Sequence, residues 1–233
     1  MKFASSFALL IALAAGTPVA AADLRARLGE AAPELSMEVL ELALAARACA
    51  AASGVAPLAS RMAVIDYSLP STERRLWVFD LDARQLLFAE HVAHGQGSGG
   101  NIATAFSNVE GSHQTSLGLF LTDDTYYGGN GYSLRMDGLD PGINDRARQR
   151  YIVMHGAPYV DPEQALRQGR LGRSHGCPAV RPQVAHEIID TLRDGQLIFA
   201  YYPDPEWLAQ SPHLGCTTPL AGGGGGSDAL ASP

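Results

Sequence analysis

The chain reads as a mainly β domain with peripheral helices, and three features of the sequence carry that reading. From Arg61 to Tyr202 the apolar residues fall in short runs rich in Val, Ile, Trp and Phe, broken by Gly, Asp and Pro. Such runs mark strands and turns rather than long helices. Most of them follow one another in hairpin order, while sustained helical spacing is confined to residues 33–53 and 182–193, which places the helices at the periphery of a sheet. At 233 residues, less a leader and a tail, the chain suits one domain of roughly 150–200 residues with its own core.

The first segment, residues 1–22, is expected to be a signal peptide. Met1-Lys2 is a short positive start, Phe7 to Ala15 an apolar stretch, and Ala20-Ala21-Ala22 a small-residue cleavage point before Asp23. The apolar stretch is short and alanine-rich for a membrane span, and no other segment approaches ~18 uninterrupted apolar residues. A retained anchor is the alternative. No cysteine stands at the cleavage point, which argues against a lipoprotein. The product is expected to be periplasmic or secreted.

Residues 23–60 are expected to be an N-terminal helical segment packed on the core. Leu35, Val39, Leu42, Ala43, Ala46 and Cys49 recur at helical spacing with Glu34, Glu38, Glu41 and Arg47 between them, and Ser53-Gly54 is the stop. The main domain is drawn at residues 61–205. Arg61 to Leu69, Arg75 to Leu81 and Leu86 to Ala93 read as strands, the last two joined in a hairpin by Asp82-Ala83-Arg84-Gln85. Gly95 to Gly111 reads as a loop, and Leu117 to Thr122 and Ser133 to Leu139 as strands around a glycine-aromatic loop, Tyr126 to Tyr132. Asn144 to Arg150 is a short helix or turn, and Tyr151 to His155 a buried strand with His155 at its C-terminal end. Pro182 to Arg193 reads as a helix with Pro182 in its first turn, an apolar face of Val184, Ile188, Ile189 and Leu192, and Gly195 as the stop. Gln196 to Tyr202 closes the sheet. Residues 206–233, with the run Gly222 to Gly226, are expected to be a flexible tail.

The chemistry converges on a thiol. Cys177 sits in Ser174-His175-Gly176-Cys177-Pro178, and a second histidine-glycine pair, His155-Gly156, ends the apolar run from Tyr151. A free thiol with a pKa near ~8.5 is only a few per cent thiolate at neutral pH. A neighbouring imidazole can take its proton, and the resulting thiolate–imidazolium pair is the expected active form. Gly176 lets the backbone approach a substrate closely, and its amide, with that of Cys177, is expected to form an oxyanion hole. The bland alternatives are a buried structural cysteine and a satisfied core histidine. Zinc is a third reading, but the spacing matches no familiar zinc pattern and His-Glu-x-x-His is absent, so no metal or cofactor is expected.

The blocks His94-Gly95, Phe106-Ser107-Asn108, Gly118-Leu119-Phe120, Thr125-Tyr126-Tyr127 and Gly131 to Arg135 extend the pattern. So do Gly138-Leu139-Asp140, Ile143-Asn144-Asp145, Ile152 to Ala157 and Gly172 to Val180. In this order they resemble the murein L,D-transpeptidases with a YkuD-like catalytic domain, and more narrowly the branch whose cysteine motif ends in Cys-Pro-Ala. The resemblance runs from about Leu35 to Tyr202. It implies a β-sandwich of the L,D-transpeptidase type, with Cys177 as nucleophile, His155 as its base and His175 as a helper that orients the site or shapes the oxyanion hole. It implies peptidoglycan stem peptides as partners and a thioester acyl-enzyme. The donor would be a tetrapeptide cut between diaminopimelate and D-alanine, and the product a 3–3 cross-link. Arg135 and Arg173, by their places in the matched blocks, are candidates for binding stem-peptide carboxylates; the alternative is that they are structural. An L,D-carboxypeptidase or endopeptidase would use the same residues, and a peptidoglycan-binding module without turnover is a reading from another class. One departure stands out: the commoner family form has arginine two residues after the cysteine, where this chain has Ala179, and the next arginine is Arg181.

Charge and cysteine count set further bounds. Lys2 is the only lysine, so Schiff-base lysine chemistry and a P-loop are excluded in the mature chain. A net charge of -7 argues against a nucleic-acid partner. Three cysteines are an odd count for an oxidising compartment. If Cys177 must stay reduced, Cys49 and Cys216 are free to form a disulfide; two unpaired thiols are the alternative.

Overall fold

The computed structural model describes residues 18–216. Its elements are α1 (Pro18–Ala31), α2 (Met37–Ala52), β1 (Arg61–Asp66), β2 (Leu76–Asp80), β3 (Gln85–Glu90), β4 (Gly118–Gly128), β5 (Gly131–Gly138), β6 (Val153–Gly156), α3 (Pro162–Gln168), β7 (Ala179–Val180), α4 (Pro182–Leu192), β8 (Leu197–Tyr201) and α5 (Pro205–Gln210). The strands make one mixed eight-stranded sheet in the order β3-β2-β1-β8-β4-β5-β6-β7. Beyond β3, Ala93 bridges Ala179 of β7, its amide donating to the Ala179 carbonyl at 2.8 Å. The two ends of the sheet therefore nearly meet, and the expected mainly β fold takes the form of a curled sheet, almost a closed barrel, with short helices around it.

The middle of the sheet is its most buried part. In β1, Val64 stands opposite Trp77 of β2 and Phe199 of β8, and all three are essentially without solvent contact. Each such side chain removed from water stabilises the fold by roughly 1.5–3 kcal/mol. Both faces of these strands need cover. α2 packs on β1 and β8 with Val39, Leu40, Ala43, Ala46, Cys49 and Ala50 buried, and α4 packs on β1, β5 and β6 with Ala185, Ile188, Ile189 and Leu192. Among the described residues, no helix is long and apolar enough to cross a membrane.

Most expected elements are present, with four differences. α1 is an added helix that runs across the expected boundary at residues 22 and 23; the rest of the expected signal peptide lies outside the described residues. The loop expected from Tyr126 to Tyr132 is mostly strand: β4 and β5 continue through Tyr126↔Ser133 and Tyr127↔Tyr132 to Gly128↔Gly131, because tyrosines favour extended backbone and only Gly129-Asn130 is needed for the turn. α3 is a further addition, capped by Asp161, whose carboxylate accepts from the amides of Glu163 and Gln164, and closed by Gly169 at φ 78°. Finally, the tail expected from residue 206 does not start there. Asp204 caps α5, and Trp207 is buried against Phe199 and Tyr201 at ring distances of 5.7 and 6.0 Å. Ordered chain continues to Cys216, which is disulfide-bonded to Cys49 with Cα atoms 6.0 Å apart. The run Gly222 to Gly226 lies outside the described residues.

Candidate active site

The segment Ser174 to Val180 threads between β6 and the chain that starts at His94. On one side β7 pairs in parallel with β6, His155↔Ala179 and Gly156↔Val180. Carried two residues back, that register sets Cys177 beside Val153, on the strand that ends in His155. On the other side Gly95 bridges Ser174, the Ser174 amide donates to the His94 carbonyl at 3.0 Å, and the Gln96 amide donates to the Ser174 carbonyl at 2.8 Å. The His94 side chain is fixed in turn by the fully buried Arg75, which donates to its Nδ1 at 2.7 Å and to the carbonyls of Val92 and Leu69.

Two glycines make this threading possible. Gly176 has φ 124°, and a Cβ there would lie 2.8 Å from the Gln114 carbonyl oxygen and 2.9 Å from Ile152 Cδ1. A Cβ on Gly95 would lie 2.9 Å from the Gly176 Cα and 2.3 Å from the His113 carbonyl oxygen. The two backbones pass each other at a separation that no side chain permits.

Hydroxyls satisfy the buried backbone around this crossing. The Ser174 hydroxyl donates to the Cys177 carbonyl at 2.7 Å and accepts from the Gly176 amide at 3.0 Å. Thr115 Oγ1 accepts from the Gly95 amide at 2.9 Å and donates to the Gly176 carbonyl at 3.3 Å. Ser98 Oγ accepts from the Thr115 amide at 2.9 Å. One sequence-based expectation is corrected here. The Gly176 amide, assigned to the oxyanion hole, is already used by Ser174, so Gly176 serves by its lack of a side chain and not by its N–H.

Cys177 is the free cysteine and is 7% exposed; His155 is 4% exposed. The thiol donates to the Tyr151 carbonyl, Sγ to O 3.6 Å, and Tyr151 holds that carbonyl at a positive φ of 56°. Burial pushes the thiol above its ordinary value of 9.0, against the pull of the Val153 amide and of the Arg150 guanidinium. Burial also holds His155 below 6.5. Both shifts favour neutral thiol and neutral imidazole over the ion pair that the sequence reading expected. His155 Nδ1 lies 3.0 Å from the Gly156 carbonyl oxygen. That oxygen can only accept, so the ring proton is on Nδ1 and Nε2 is the basic nitrogen.

The remaining candidates occupy distinct places. His175 is exposed and stacks on His113, ring centroids 4.2 Å apart and planes within 9°. Arg173 donates to the carbonyls of Gln96 and Gly99, at 3.3 and 2.7 Å, and so fastens the loop after Gly95. Arg135 stands opposite Val153, while Ser133, two residues earlier on β5, stands opposite His155. Its guanidinium pairs with Asp124 at 2.6 Å and lies 4.1 Å from the Tyr126 ring centre. Arg181 is bound to Glu90 by two hydrogen bonds, at 2.9 and 2.6 Å, and is not a substitute for the arginine absent at Ala179. Sequence reasoning missed His113, Tyr151 and Arg150. His113 lies outside every block that marked the site. The positive φ of Tyr151 and the burial of Arg150 leave no trace in residue type.

With this geometry in hand, comparison with known proteins is specific at the level of family. Residues 31–201 match the L,D-transpeptidase catalytic domain. A search of curated proteins found no match. Similar solved structures include an L,D-transpeptidase from Mycobacterium smegmatis, at 15% identity and TM-score 0.38 over 62% of this chain and 59% of that one. L,D-transpeptidase 3 from Mycobacterium tuberculosis matches at 15% identity and TM-score 0.37 over 61% of each chain. An L,D-transpeptidase from Stackebrandtia nassauensis matches at 13% identity and TM-score 0.37 over 86% of each. The chain thus spans 59% of the length of the Mycobacterium smegmatis protein.

Proposed function

The chain belongs to the L,D-transpeptidase catalytic-domain family, and from that premise we propose that it is a peptidoglycan L,D-transpeptidase acting through a thioester on Cys177. The observation that supports the reading is the pairing of β6 with β7, which brings the backbone segment of the free thiol, two residues before β7, alongside the strand that ends in the Nδ1-protonated His155. His155 Nε2 takes the thiol proton as Sγ attacks the carbonyl carbon between diaminopimelate and D-alanine of a stem tetrapeptide. The Cys177 amide is the oxyanion donor in this scheme, since the Gly176 amide is engaged. The imidazolium then protonates the departing D-alanine nitrogen, leaving a thioester. The side-chain amine of a second stem attacks that thioester and gives up a proton to His155, the thiol is regenerated, and a 3–3 cross-link results. Arg135 is proposed to bind a stem-peptide carboxylate from β5, and Arg173 to act through the loop it fastens. The site of action is the cell wall, outside the cytoplasm.

Transfer requires that an amine outcompete water at ~55 M, which it does only when held in attack geometry. The low exposure of Cys177 favours that outcome by limiting water at the thioester. Incubation with disaccharide-tetrapeptide should give a cross-linked dimer lacking one D-alanine, seen by mass spectrometry. Disaccharide-tripeptide alone would identify an L,D-carboxypeptidase, and cleavage of a pre-formed dimer an endopeptidase. Unchanged substrate would leave a binding module.

A further inference from the structure

Arg150 is half-buried beside the thiol and lies outside every motif that marked the site. Its guanidinium donates to the Ser107 carbonyl at 2.6 Å and the Gln114 carbonyl at 2.7 Å, and also to the hydroxyls of Ser116 and Ser112. All four acceptors are neutral, and Arg150 takes part in no ion pair among the described residues. Its Nε is buried and has no hydrogen-bond partner there either. Burying even part of a guanidinium with neutral partners alone carries a desolvation cost. Two of its links lead to the nucleophile. Gln114 supplies the carbonyl that walls in Gly176, and the next residue, Tyr151, supplies the carbonyl that receives the Cys177 thiol.

We propose that Arg150 is a positioning residue that holds residues 107–116 over the site and whose charge is balanced only as the Cys177 thiolate forms, so that it favours the anion during attack. The other titratable groups around the thiol do not supply that charge. Burial pushes Tyr67 and Tyr159 upward, toward the neutral phenol, and His155 downward, toward the neutral imidazole. Arg150 is the only cation among the groups that draw the thiol downward. Arg181, the first arginine after the nucleophile, is committed to Glu90.

The inference rests on Cys177 being the reactive thiol, and the test separates the two. The rate of Cys177 alkylation by iodoacetamide is followed against pH in the folded, oxidised protein and in two variants. Arg150→Gln keeps hydrogen-bond donors without the charge; Arg150→Lys keeps the charge without the fork. Loss of the charge should move the alkylation profile to higher pH and lower the rate at pH 7 about tenfold in Arg150→Gln. Arg150→Lys should stay within about threefold of the parent. Equal profiles for the parent and Arg150→Gln would overturn the proposal, as would equal displacement of both variants, which a structural role alone produces. Should Cys177 of the parent fail to alkylate while unfolded protein reacts, the cysteine mechanism itself would fall, and this inference with it.

Discussion

At the scale of single residues, burial sets the resting state of the site. Both Cys177 and His155 are pushed toward their neutral forms, so proton transfer must accompany attack. This has a kinetic signature. The acid limb of kcat/KM reports protonation of the free imidazole, and burial places it below the ordinary 6.5. The alkaline side should stay flat past the ordinary thiol value of 9.0. A plateau from below pH 6.5 to above pH 9 is therefore expected, and His155→Ala should lower it at least ~100-fold. An acid limb above pH 6.5 would contradict the neutral resting pair. Gly176 shows what the sequence conveyed and what it did not. A glycine before a cysteine signals close approach to a substrate; the close approach in the structure is to another backbone, that of Gly95. That Ser174 would take the Gly176 amide was hidden, because a serine three residues before the cysteine looks the same whether or not its hydroxyl turns back to the backbone.

At the scale of elements, what was legible followed periodicity. α4 and the β2–β3 hairpin have strong patterns and appear close to their expected limits. α3 and α5 were missed although Asp161-Pro162 and Asp204-Pro205 carry a capping residue and a first-turn proline. Both are under eight residues, too short for an apolar repeat to show. The cost of missing α5 was a tail drawn too early, across a helix whose Trp207 is buried in the core. The bridge between Cys49 of α2 and Cys216 beyond α5 closes a loop of 167 residues. Cross-links of this span contribute about 2–5 kcal/mol. Denatured, unreduced protein should therefore present one reactive thiol, on Cys177, and reduction before heating should lower the melting temperature by several degrees. Three reactive thiols before reduction would contradict the bridge.

At the scale of the whole molecule, curling of the sheet is what assembles the site. The Ser174–Cys177 segment leads into the far edge strand, β7, while the His94 segment follows the opposite edge, β3, and they meet because Ala93 bridges Ala179. The chain's class was readable from its strand runs, but this closure joins residues 86 apart in sequence (179 − 93) and no local pattern reports it. Legibility of the site therefore came from motif residues, Cys177 and His155 above all, while their supporting contacts came from the long-range pairing. The central claim is that this closed sheet presents Cys177 as an acyl acceptor. Intact-protein mass spectrometry after brief mixing with a stem tetrapeptide substrate tests it most directly. The account predicts an adduct equal to the substrate less D-alanine, mapped to the peptide that contains Cys177 and absent in Cys177→Ala. No adduct in the presence of turnover, or an adduct that persists in Cys177→Ala, would contradict it.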